Sequence, residues 1–79
     1  MIQIRLKLTF PEPLVRAPII AKLVRDFDVV PNIRRAEVRA DTGWMLCEVE
    51  GEPDSLEKAL AWLRDEGVTV DLLGDVLEG

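Results

Sequence analysis

From residue 2 to residue 10 the chain alternates without a break: Ile2, Ile4, Leu6, Leu8 and Phe10 take one side, Gln3, Arg5, Lys7 and Thr9 the other. A period of two with one apolar face predicts a strand buried on one side only. Pro11 and Pro13 end it, a short loop follows, and Pro18 suits the first turn of a helix, where its missing N–H costs nothing. The period then changes. Ile19, Ile20, Leu23, Val24 and Phe27 recur with helical spacing while Lys22, Arg25 and Asp26 look outward, which predicts a helix from about 18 to 28.

Val29, Val30 and Pro31 lead out of that helix, and Ala36, Val38 and Ala40 then alternate with Arg35, Glu37 and Arg39 as a second strand. Asp41-Thr42-Gly43 supplies a turn into a third strand, Trp44 to Glu50, with Met45, Cys47 and Val49 on one face and Trp44, Leu46, Glu48 and Glu50 on the other. An even hairpin loop brings Ala36, Val38 and Ala40 beside Met45, Cys47 and Val49. After Gly51, Asp54-Ser55-Leu56-Glu57 reads as a capping box, with Leu56, Ala59, Leu60 and Leu63 as the buried stripe of a second helix. Gly67 is the expected left-handed residue past its end, and Val68, Val70 and Leu72 alternate with Thr69, Asp71 and Leu73 as a fourth strand.

The order is βαββαβ. Right-handed crossovers turn it into an α+β, ferredoxin-like fold: a four-stranded antiparallel sheet with two helices on one face, one domain over residues 1–79. The first and third strands then lie side by side, so Arg5 and Lys7 come near Glu48 and Glu50, and opposite charges meet. Trp44 and Leu46 fall on the open face, where large apolar residues ask for a partner, and they are the expected homodimer interface. A shifted register that takes them into the core is the alternative.

Composition narrows the chemistry. With 48% hydrophobic and 32% charged residues the chain is an ordered globule, and its short length leaves a thin core that a second copy would support. A net charge of -5 disfavours a phosphate backbone, so no nucleic-acid partner is expected. No apolar run is long enough to insert in a membrane and the amino terminus is no signal segment, so the expected location is cytoplasmic. There is no histidine and one cysteine, Cys47. A Cys/His metal site, a disulfide within the chain and a His-dependent triad are thereby excluded, and neither a catalytic residue nor a cofactor is expected. Cys47 reads as a small buried hydrophobe.

The stretch PNIRRAEV holds the chain's only asparagine, Asn32. Asn tolerates left-handed backbone and bonds its own main chain, which would make it a turn residue at the mouth of a strand; the other reading is a ligand. Arg34, Arg35 and Arg39 are likewise either a salt-bridged face, with Glu37, Glu48 and Glu50 at hand, or an anion site.

At RLKLTF, APII, RDFDVVPNI, VEGEP, ALAWL and VTVDLL the chain resembles the NIL domain, the ferredoxin-like module at the carboxyl end of the ATPase subunit of bacterial methionine importers. The resemblance covers essentially all 79 residues. The family takes its name from an Asn-Ile-Leu step, here Asn32-Ile33-Arg34, with arginine in the third place. It implies a non-enzymatic regulatory domain that pairs with a second copy and binds methionine or a related sulfur amino acid. The binding role falls on Asn32, with Ile33 and Arg34 completing the step, and Arg34 offers a cation to an amino-acid carboxylate. The chain carries neither the Gly-rich phosphate loop of the importer ATPase nor the clustered cysteines of ferredoxin fusions, so the module is expected to stand alone. The competing reading is an accessory subunit of sulfur amino-acid metabolism, whose open sheet face takes a protein partner.

Overall fold

The computed structural model describes residues 1–15, 17–74 and 77–78. Strand β1 (Ile2–Pro11) leads into a one-turn helix α1 (Glu12–Val15), helix α2 (Ile19–Phe27) and strand β2 (Val30–Val38). Strand β3 (Thr42–Gly51), helix α3 (Pro53–Asp65), strand β4 (Thr69–Leu72) and the short β5 (Leu77–Glu78) complete the chain. The sheet order is β2-β3-β1-β4, antiparallel throughout, with β5 pairing the start of β1. This is the α+β, ferredoxin-like arrangement that the order of elements implies, with α1 and β5 as additions.

The alternation of β1 becomes burial. Ile4, Leu6, Leu8 and Phe10 are buried on the helix side, beside Cys47 and Val49 of β3, and Ile19, Leu23, Leu56, Ala59 and Leu63 close over them from α2 and α3. The outward face has its own register. Arg5 lies across from Glu48, Lys7 from Leu46 and Thr9 from Trp44, so Trp44 and Leu46 do lie on the face away from the core. Of the predicted stripes, Val24 is exposed and Leu60 only partly buried.

Helix starts depart from the sequence reading: Pro18 is the cap residue before α2 and not part of its first turn. The cap of α3 is Glu52, not Asp54, and it makes no side-chain bond: Pro53 takes the first helical position, its fixed φ starting the turn earlier, and the Leu56 N–H donates to Glu52 O at 2.9 Å. Asp54 serves instead as a first-turn carboxylate near the helix's positive end. At the other end Gly67 has φ 99°, with its N–H donating to Arg64 O at 3.0 Å and the Val68 N–H to Leu63 O at 2.9 Å, a Schellman closure.

The hairpin holds as expected near its tip, where Ala36 faces Met45 and Val38 faces Gly43. Ala40 lies beyond the end of β2. Further in, Ile33 is opposite Cys47 and Arg35 opposite Leu46, so Arg34 is an extra residue with no cross-strand partner, a β-bulge.

Candidate functional site

Strand β2 is at the rim of the sheet, paired with β3 alone, and nearly all its residues are exposed. Asn32 lies inside this strand, opposite Glu48, and not at a turn. The left-handed residue between α2 and β2 is Asp28, at φ 53° and ψ 47°, which caps the helix; no other non-glycine residue among those described has positive φ. The Asn32 amide makes no hydrogen bond to a described residue.

The bulge decides where the rest of the step goes. Ile33 follows Cys47 to the helix side, 48% exposed, whereas Arg34 reaches the outward face and meets Glu48, its Nε 2.7 Å from Oε1. From the neighbouring strand Arg5 brings its Nε to 3.5 Å from Oε2 of the same carboxylate. The fold therefore brings Asn32 and Arg34 together around Glu48 and turns Ile33 away from them. Glu48 is 12% exposed; the Arg5 and Arg34 side chains are 58% and 64% exposed. Beside this cluster lies an open cleft of about 200 Å3 whose lining includes Arg5, Arg34, Leu46, Glu48 and Leu73.

Toward the hairpin tip Trp44 is half-buried between two charged neighbours. Its Nε1 donates to Glu37 Oε2 at 3.2 Å, and Lys7 Nζ is 5.4 Å from the ring centroid, within cation–π range. Arg39 donates to Glu37 Oε1 through Nη2 at 2.9 Å and Nε at 3.1 Å. The Arg39 hydrogen bond and charge, with the Trp44 bond, hold the Glu37 carboxyl below the usual range. Leu46, also half-buried, has Lys7 across from it on one side and Arg35 on the other. The expected Lys7–Glu50 approach is not formed, since Glu50 lies across from Gln3.

A second cleft, about 190 Å3 and almost wholly apolar in its lining, opens on the helix side between α1, the start of α2 and the hairpin tip, where Phe10, Val15, Ile20, Val38 and Met45 meet. Sequence reasoning missed this cleft and the bulge. A signal for the bulge was present. Ile33 and Ala36, both on the helix side, are three residues apart with two arginines between them, where an unbroken strand would keep a spacing of two.

Among the described residues no group of three His, Cys, Asp or Glu could hold a metal ion. No helix among them is long and apolar enough to cross a membrane. The open face can thus offer an amide with no hydrogen bond to a described residue, two exposed guanidinium groups around one carboxylate, and adjoining apolar surface.

Comparison with known proteins gives this arrangement a family. In Aliivibrio fischeri the Methionine import ATP-binding protein MetN is 34% identical over 76 residues, 91% of this chain and 22% of that protein. In Coxiella burnetii the protein of the same name is 35% identical over 75 residues, 90% of this chain and 21% of that protein. The chain thus spans about a fifth of the length of these curated relatives. Among solved structures, the C-terminal domain of an ABC transporter ATP-binding protein from Enterococcus faecalis superposes with a TM-score of 0.78 at 21% identity, covering 91% of this chain and 84% of that one, a likeness of fold. A family model for the NIL domain matches residues 4–71, and the chain belongs to the NIL domain family.

Proposed function

We propose that this chain is a non-enzymatic, cytoplasmic regulatory module that binds methionine or a related sulfur amino acid through Asn32, Ile33 and Arg34, at or near the contact between two copies. The observation that carries this reading is the state of Asn32. It has a polar side chain on an exposed strand, no turn to shape, no hydrogen-bond partner among the described residues, and a cation one residue beyond Ile33. The names of the relatives support the ligand class, because both are methionine import proteins. That the chain corresponds to a fifth of those proteins favours a second reading, a module that acts on a protein partner through its open face.

Calorimetric titration with free amino acids tests the first reading. Methionine should bind the parent protein. Asn32→Asp preserves size and an acceptor but replaces the amide donor with a negative charge, and Asn32→Ala removes both polar atoms. Each should weaken binding by about 1–3 kcal/mol, roughly 5- to 150-fold, with the melting midpoint little changed. Equal binding by parent and variants, or no binding of any amino acid at millimolar concentration, overturns the proposal and leaves the protein-partner reading.

A further inference from the structure

We infer that Arg5 and Arg34 form an oxyanion site for the carboxylate of a small ligand with an apolar tail, and that Glu48 is an internal carboxylate competing for it. The inference deepens the reading above and rests on it for the amino-acid class of ligand; the groups that take the carboxylate follow from the geometry of the cluster.

Glu48 projects from β3 between two cations, one across the sheet on β1 and one at the bulge of β2. Both approach it through Nε, at 3.5 and 2.7 Å. Neither guanidinium donates a hydrogen bond to a described residue, so these are contacts of charge rather than aligned bonds. A guanidinium matches a carboxylate best when two parallel N–H groups meet its two oxygens, and that mode is not used by Glu48. The two arginine side chains are more than half exposed while Glu48 is nearly covered, so an anion arriving from solvent meets the cations first.

The local charge balance points the same way. One carboxylate stands against two guanidinium groups, and the next row toward the hairpin tip adds Arg35 and Lys7 on either side of Leu46 with one carboxylate, Asp71, beyond Lys7, so cations outnumber anions in these two rows of a chain whose net charge is -5. Leu46 and Leu73 line the cleft with the two arginines, so an apolar tail has a surface to cover once the carboxylate is held. The bulge is what makes this assembly. An unbroken strand kept in the frame of Ala36 and Glu37 would turn Arg34 toward the helices, and Asn32 with it; the one-residue shift lets both face outward together with Arg35.

The probe is γ-methylthiobutyrate, which has the carboxylate and thioether of methionine and no amine, against its neutral methyl ester, both titrated calorimetrically into the full chain. The acid should bind and the ester should bind at least about tenfold more weakly. Arg5→Gln and Arg34→Leu should each weaken the acid about tenfold, and Glu48→Gln, by removing the internal competitor, should tighten it several-fold. A gain in affinity cannot come from misfolding. Equal binding of acid and ester, no binding of the acid at millimolar concentration, or an unchanged affinity in Glu48→Gln overturns the site. Methionine in the same titrations separates the two proposals. If the acid binds as described and methionine does not, the site stands and the amino-acid reading fails; if methionine binding is weakened by the Asn32 variants and by Arg34→Leu but ignores Arg5→Gln and Glu48→Gln, the reading stands and this site fails.

Discussion

The Cys47 thiol lies 2% exposed among the core side chains, and burial pushes its pKa from the ordinary 9.0 up to about 11. In the unfolded chain the thiol loses its proton near the ordinary value, while the folded chain keeps it until the higher one. Its contribution to stability is therefore whole below pH 9.0 and is lost as pH climbs toward about 11. Melting followed by circular dichroism should show a midpoint that falls over this interval in the parent and falls less in Cys47→Ala; parallel curves would mean that the thiol is not held protonated by the fold. The same burial makes the thiol a poor nucleophile, so a thiol reagent at neutral pH should label it only as fast as the protein opens. The Arg25–Asp26 pair is a contrasting case. Its hydrogen bond is 2.8 Å, yet both side chains are exposed and solvent screens them, so it contributes little to stability.

Among the elements, α3 allows the clearest test of burial. Leu63 is 1% exposed and Leu60, one turn earlier, only partly covered. Leu63→Ala should cost about 2–5 kcal/mol and Leu60→Ala distinctly less, read by denaturant unfolding of the two variants; equal losses would mean that the helix is rotated about its axis. The elements themselves were legible where one periodicity governed a whole segment: β1 and α3 each show a single clean face, and Gly67 announces a helix end that only a left-handed residue closes well. Boundaries were less legible because neighbouring residues compete for the same task. Pro53 outcompetes Asp54 for the start of α3 because its φ is already fixed, and Asp28 takes the left-handed position that Asn32 might have filled by chemistry alone, because the turn falls at the end of α2 and not inside β2. The pairing of Arg5 with Glu48 was legible from strand order, whereas the arrival of Arg34 depended on a one-residue irregularity that periodicity averages away.

Across the whole molecule, the core occupies one side of the sheet and the other side is a mosaic of charge that includes Trp44 and Leu46. Each of these two is half-buried within the chain, under Lys7 in the case of Trp44. We expect a second copy to cover what remains. Leu46→Lys should then shift sedimentation equilibrium toward monomer, and a parent that sediments as a concentration-independent monomer would refute the pairing. Part of this surface could be read from sequence because a strand's outward residues follow from its inward ones, and Leu73, just past the end of β4, continues the outward set of Thr69 and Asp71 into the cleft. The bulge at Arg34 has a wider effect. Strand β2 is in effect written in two reading frames spliced at one residue: Val30 and Asn32 are outward in the first, Arg35 and Glu37 in the second. Deleting Arg34 would restore a single frame in which Asn32, Arg35 and Glu37 stay outward and Ile33 and Ala36 stay toward the helices, so the pairing with β3 would become regular and the only loss on the open face would be the cation beside Glu48.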